Sequence, residues 1–356
     1  RFIFKLSEKK IDGNSIIEFY KVDDFHNLWR MSLINEKCPV KSIRIVDCLK
    51  LICLEEILKI NKVTHLSLYT DDINLNNSIK DLCSNMNINF SAKRINVKEL
   101  ILNYIYIPYF LRSFYFIIKY TIKNLSFNSK KKLKDISAKG IIFTNYFLNY
   151  QININKNGQL KFKSNYWDEI PNLLSKEKKI TWLHMPVDTI VQKNLNKDIS
   201  LLLNNKKNNH ILFKRMFSFK ILIISIAQFF YFYFKSISVR NLYEIFNLKE
   251  SSINFYHLMK HDWNKSFIGP NLFYSLATIN TFDFVFSNIA NQQYCFYLLE
   301  NQSWEKALIS SWRKYHHGKL IGSSHSTIRF WDLRYFFHPM SFRNSSFIKK
   351  EMPDYL

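Results

Sequence analysis

The sequence predicts an α/β fold built on parallel sheets of doubly wound type. Strand-like and helix-like segments alternate along the chain with short connections. The clearest strands are short apolar runs whose ends turn polar. Gly (6) and Pro (7) are too scarce in 356 residues for a turn-dense all-β fold or a collagen-like repeat.

The elements follow in chain order. Lys41–Asp47 reads as a strand or as the approach to a helix, and Leu49–Ile60 carries apolar residues at helical spacing. Val63–Tyr69 alternates like a strand. Asp71 and Asp72 offer a cap for a helix over Leu75–Met86, and Ile88–Phe90 opens the next strand. A very apolar helical stretch covers 101–126, interrupted by Pro108 and followed by a basic cluster at Lys130, Lys131, Lys132 and Lys134. Gly140–Tyr146 and Ile180–Met185 read as strands. Ligands of open α/β sheets bind outside the carboxyl ends of the strands, which marks Asn145, Tyr146 and His184. Taken singly, each also suits an ordinary loop position.

Residues 211–234 form the most hydrophobic run. Lys220 and Lys235 bracket fourteen residues without a formal charge, short for a membrane span. Basic flanks and Phe, Leu and Ile suit a helix lying in the membrane interface, ahead of a helix buried at a domain junction, with a true span last. Further on, Phe282–Ser287 reads as a strand. Glu300–Tyr315 reads as an amphipathic helix with Trp304, Ala307, Leu308, Ser311 and Trp312 on one face. Lys319–Gly322 is a short strand that leads into Ser323, Ser324, His325, Ser326 and Thr327.

Composition sets the bounds. With 47% apolar residues the chain can build one large or two ordinary cores. The net charge of +23 fits attraction to nucleic acid, anionic lipid or a phosphate-rich substrate, and fits equally the Lys, Asn and Ile bias of an AT-rich genome. No nucleic-acid motif is present and Lys is spread along the chain, so nucleic acid ranks last among partners. Cys38, Cys48, Cys53, Cys83 and Cys295 sit at no metal-ligand spacing, and their apolar neighbours suggest reduced core thiols of a cytoplasmic protein. Both ends read as cut, so continuation of the chain past Leu356 is expected.

The loop after Gly322 groups small hydroxyls, backbone N–H groups and the His325 imidazole at a strand end, a setting that suits phosphate oxygens and proton transfer from a hydroxyl. Its bland reading is a helix cap with a structural His. In 328–336, Arg329, Asp332 and Arg334 are interleaved with aromatics. Either Arg suits a phosphate or a sugar carboxylate, and an internal Arg–Asp pair still leaves one Arg over. Trp304 and Trp312 fit the core better than a sugar platform, and His316 and His317 fit a helix end. His257 and His261, at i, i+4, lack a third ligand for a metal site.

The runs Leu299–Leu308, Trp312-Arg313, His317–Gly322, His325–Thr327 and Arg329–Phe336 resemble a family of bacterial surface carbohydrate biosynthesis proteins of O-antigen and capsule gene clusters. Tyr166–Pro171, Trp182–His184 and Met352–Leu356 are similar too. The resemblance implies a glycosyltransferase with two facing Rossmann-type (GT-B-like) lobes. A Rossmann-like region would occupy 1–200, a hydrophobic and basic helical insertion 201–256, and the continuing lobe 257–356. The donor-binding lobe would lie largely beyond Leu356, leaving this piece inactive alone.

The implied substrates are a nucleotide-sugar donor and a lipid-linked or glycan acceptor at the inner face of the cytoplasmic membrane. No bound cofactor is implied, and divalent-metal dependence stays open. The His loop is also similar to that of capsule and teichoic-acid polymerases, which follow their His with Gly where this chain has Ser326. The resemblance makes His325 the general base or an acceptor-orienting group, with Glu300 and Glu305 lining or bracing the cleft. Arg329 and Arg334 become anion contacts, and Ser323, Ser324, Ser326, Thr327, Asp332, His184 and Asn145 surround the substrate. A non-catalytic scaffold of a polysaccharide assembly complex is the alternative.

Overall fold

The computed structural model describes residues 1–93, 108–125, 133, 136–147, 150–154, 160–185, 198, 201–202, 209–247, 250–324, 328–329, 332–343 and 351–356. The chain forms two compact units, one of residues 1–117, 228–275 and 328–341, the other of 118–227, 276–327 and 342–356.

The first unit contains helix α1 (Phe2–Glu8), the antiparallel pair β1 (Lys10–Ile11) and β2 (Asn14–Ser15), and short helices α2 (Ile16–Phe19) and α3 (Leu33–Glu36). Helix α4 (Ile45–Ile60) follows, so the Lys41–Asp47 segment is the approach to a helix and not a strand. Strand β3 (His65–Tyr69), helix α5 (Ile73–Asn85) and strand β4 (Asn89–Lys93) make a parallel βαβ unit. The Asp72 carboxylate accepts the Asn74 and Leu75 N–H groups at 2.9 and 3.1 Å, the cap expected there. Helix α6 (Tyr109–Asn124) begins in this unit, after Pro108.

The core of the first unit gathers on helix α10 (Tyr256–Phe267), where Tyr20 stacks on Phe267 at 3.9 Å and Trp29 and Trp263 are fully buried. His261 bonds the Tyr109 hydroxyl at 2.7 Å, Asp262 accepts from Ser42, and His257 meets Asp81 at 3.2 Å. Cys38, Cys48 and Cys83 are buried thiols, but Cys53 lies on the exposed face of α4, so its apolar neighbours misplace it.

The second unit holds a five-stranded, wholly parallel sheet of β5 (Ile141–Tyr146), β8 (Ile180–Met185), β9 (Asn209–Leu212), β10 (Tyr294–Leu298) and β11 (Lys319–Ser323). Its order is β11-β10-β5-β8-β9. The chain therefore starts in the middle, winds outward through β8 and β9, then returns beside β5 and winds the other way. Right-handed crossovers put the connecting segments on opposite faces of such a sheet. Between β5 and β8, the antiparallel hairpin β6 (Tyr150–Ile154) and β7 (Leu160–Ser164) supplies Phe162 and the turn before helix α7 (Ile170–Leu174) supplies Trp167, which pack with Phe143 and Trp182 on one face. Helix α12 (Ser303–Lys314) supplies Trp304 to the other, edge-on to Tyr146 at 5.8 Å.

Two assignments need correction. The hydrophobic run 211–234 is not one helix: β9 ends at Leu212, a 3-10 turn spans Phe213–Met216, and helix α8 spans Phe219–Ile237. Short helix α9 (Leu242–Ile245) comes next. Phe282–Ser287 is not a strand but the end of helix α11 (Pro270–Ser287). That helix is apolar on nearly every side, with Leu272, Phe273, Leu276, Ile279, Phe282 and Phe286 buried, so an aromatic stretch of it imitates a strand. Pro270 stands at its first position, where no N–H is needed. Helix α13 (Pro339–Arg343) closes the described helices.

Between α12 and β11, the Gly318 N–H donates to the Gln292 carbonyl at 2.8 Å, and a Cβ there would overlap the Gln293 carbonyl. Gly318→Ala is expected to lower stability by about 1–3 kcal/mol, measured as a shift of the urea midpoint at unchanged slope.

Candidate functional site

The winding reverses between β5 and β10, and ligands of doubly wound sheets settle at that switch point, outside the carboxyl ends of the strands. Strand β5 ends there in Asn145 and Tyr146. Strand β10 ends in Leu298 and leads through Leu299, Glu300, Asn301 and Gln302 into α12.

One side chain shapes this turn. The Glu305 carboxylate, wholly buried, accepts the backbone N–H groups of Glu300, Asn301 and Gln302, each at 3.0 Å. Gln302 is the N-cap of α12 and Glu305 completes a capping box with it. Asn301 adopts the left-handed conformation at φ 55°, which Asn tolerates better than most residues. Burial pushes the Glu305 carboxyl up to about 7, against the pull of those N–H donors and of the Lys306 charge.

Tyr146 ties the two strand ends together. Its hydroxyl donates to Glu300 Oε2 at 3.2 Å and accepts from Gln302 Nε2 at 2.9 Å and Trp304 Nε1 at 3.3 Å, while Gln302 also donates to Glu300. Burial first, then the Glu305 and Glu300 charges, hold the phenol well above its ordinary pKa, so it stays protonated. Glu300 is half-buried at the rim of the turn.

Other polar groups at these strand ends lack partners. Asn145, 1% exposed, has neither its Oδ1 nor its Nδ2 bonded among the described residues, and Asn301 Oδ1 is likewise unpaired. An unsatisfied buried amide costs about 1–3 kcal/mol, which makes the pair an anomaly for a purely structural site. Asn145 is in register with His184 on β8. His184 Nε2 lies 3.0 Å from His210 Nδ1 on β9, the rings are parallel, and Phe162 packs edge-on against both. Burial lowers both imidazoles, His210 to about 3, so the pair is neutral and one ring donates to the other. The outer nitrogens, His184 Nδ1 and His210 Nε2, have no partner among the described residues.

The sequence-marked residues distribute as follows. Asn145, His184, Glu300, Glu305, Ser323 and Ser324 all belong to the second unit, the last two at the end of β11. Glu305 braces the turn with both oxygens and does not face a substrate. Arg329, Asp332 and Arg334 belong to the first unit. There Arg334 grips Asp332 through Nε at 2.8 Å and Nη2 at 2.6 Å, the internal Arg–Asp pair, which holds the Asp332 carboxyl below its usual range. Arg329 is exposed. His325, Ser326 and Thr327 lie outside the described residues.

Trp304 and Trp312 are core residues. His317 is built into the structure, accepting the Gln292 N–H at 3.1 Å and lying 3.0 Å from the Phe286 carbonyl. Sequence reasoning missed His210, which stands just before the run 211–234, and Asn301 and Gln302, whose roles rest on backbone conformation.

A shallow depression of about 590 Å³ opens at the other edge of the sheet, lined by Lys139, Lys178, Gln292 and Lys319. It lies at the amino ends of the strands, and Lys319 is taken by Asp354 at 3.3 Å. The carboxyl edge, where Asn145 and the Asn301 Oδ1 lack partners among the described residues, is the stronger site. No protein-family model, curated protein or solved structure matches the chain.

Two predictions follow from the buried groups. Asn145→Leu removes an unpaired amide and is expected to raise stability by about 1–3 kcal/mol in urea unfolding while weakening ligand binding. For the histidines the sign is set by their lowered pKa: the unfolded chain binds protons below about pH 6.5 that the folded chain refuses. Stability therefore falls as pH drops from 6.5 toward 3. Relative to His210→Phe, the wild type should lose up to about 1.4 kcal/mol more per pH unit for each proton refused, read from urea midpoints across that range.

Proposed function

We propose that the chain acts as a glycosyltransferase of surface-polysaccharide biosynthesis (O-antigen, lipopolysaccharide or capsule), moving a sugar from a nucleotide-activated donor to a lipid-linked or glycan acceptor. The observation that supports this most is the buried Asn145 amide and the Asn301 Oδ1, without partners among the described residues, at the switch point of a parallel doubly wound sheet. An amide left without partners there suits a ligand that brings its own donors and acceptors. The resemblance of the 299–336 segment supplies the chemistry, and the two-lobed architecture and the place at the inner membrane face belong to the same proposal.

In this reading Glu300, held by Tyr146 and Gln302, orients an acceptor hydroxyl, and Glu305 positions it from behind without touching substrate. His325 takes the proton of the attacking hydroxyl, whose oxygen forms the new glycosidic bond as the nucleotide leaves. Ser323, Ser324, Ser326 and Thr327 offer hydroxyls to phosphate oxygens. One observation favours the scaffold alternative: Glu305 and Arg334 are both committed to internal bonds.

The two readings separate in an assay of the full-length gene product with membranes and a panel of nucleotide sugars. Free nucleotide is expected from the wild type, and His325→Ala and Glu300→Gln should each lower its release by about 100-fold or more. Equal release by wild type and variants removes those side chains from the chemistry, and no release from any donor favours the scaffold.

A further inference from the structure

Two helices carry large apolar side chains on the face turned away from the fold. On α6, Phe110, Leu111, Phe114 and Tyr115 are exposed while Tyr109, Ser113 and Ile117 opposite them are buried. On α8, Phe230, Tyr231, Phe234 and Ile237 are exposed while Phe229, Phe232 and Ser236 are buried. Phe110 meets Tyr233 with ring centroids 5.4 Å apart, so the two stripes are neighbours within the first unit. Each stripe runs on along its own helix, through Ile118 and Ile122 on α6 and through Ile223 and Ile224 on α8. Single exposed apolar residues are ordinary on a protein surface, but contiguous stripes of this kind mark an interaction face.

Charge selects the occupant. Neither helix contains an Asp or a Glu, whereas α6 carries Arg112, Lys119 and Lys123 and α8 carries Lys220 and Lys235. The chain as a whole has a net charge of +23. An acid-free surface of Phe, Tyr, Leu and Ile with Lys at its margins matches the acyl–headgroup boundary of an anionic bilayer, where apolar side chains enter and cations meet lipid phosphates.

We propose that α6 and α8 form a docking surface for anionic lipid, each helix lying along the bilayer rather than crossing it. Helix α8 is long and apolar enough to cross a membrane, with a mean hydropathy of 1.3. Its inner face is nevertheless tied into the protein: Ser225, fully buried, accepts from Asn280 at 3.0 Å, and Phe229 and Phe232 are packed. A helix held along one side by its own fold presents only the other side to lipid. The surface rests on its own residues and stands whether or not the proposed sugar transfer is correct.

Co-sedimentation of the full-length gene product with phosphatidylcholine vesicles, with and without phosphatidylglycerol, tests this. Binding to the anionic vesicles should be at least about tenfold tighter and should weaken with salt. Joint Tyr231→Ser and Phe234→Ser substitution should cost about tenfold or more in affinity at unchanged far-UV circular dichroism and thermal midpoint. Lys119→Gln with Lys123→Gln, a second variant made outside the apolar stripe, should reduce the preference for anionic lipid. Equal binding to both vesicles, or none, overturns the proposal. So does a dimer abolished by the Ser variants without vesicle binding, which assigns the face to a second copy of the chain. Protein resistant to alkaline carbonate yet released by detergent shows a span and overturns the lying geometry.

Discussion

The Glu305 carboxylate and the three N–H groups it accepts are what the site depends on. They close the turn between β10 and α12, fix Asn301 in a left-handed conformation and aim Glu300 and Gln302 at the end of the neighbouring strand. Tyr146 then clamps that strand end to the turn from the other side. Without the carboxylate, three backbone donors at a buried helix start would lose their acceptor at once, and the geometry at the switch point would go with them. Glu305 thus serves the site by shaping it. A carboxyl so thoroughly enclosed spends both oxygens on the turn.

The sheet order sets which strands meet at this turn. Because the chain begins at β5 and returns beside it as β10, two strand ends face each other with no crossover running over them. Here the protein leaves polar groups unsatisfied that a core built only for stability would not retain. Among the described residues Asn145 has no side-chain partner, and the His184–His210 pair presents one open donor and one open acceptor at its outer nitrogens. Each such group in a native structure calls for an explanation, and a functional site is one.

Much of the fold was legible in the sequence. Strands β3, β5, β8 and β11 and helices α5 and α12 follow from short apolar runs, helical spacing and the Asp72 cap. Uniformly apolar stretches were not legible, because periodicity disappears when every side is apolar. That is why α11 passes for a strand at Phe282–Ser287 and why β9 vanishes into the run that precedes α8. The site was half legible. Asn145 and His184 stand out as polar residues at strand ends, whereas Glu300 and Glu305 were marked only by the resemblance. The pairing of His184 with His210 depends on which strands are adjacent, and a single sequence does not carry that.

The proposed ligand site lies at the carboxyl edge of the sheet, at the β5–β10 junction. Hydrogen exchange of the full-length gene product, with and without a mixture of nucleotide sugars, addresses it most directly. Slowed exchange in residues 143–147 and 298–304 is expected when the mixture is added. Unchanged exchange in both segments, or slowing confined to 291–294 and 318–319 at the amino edge, would contradict it.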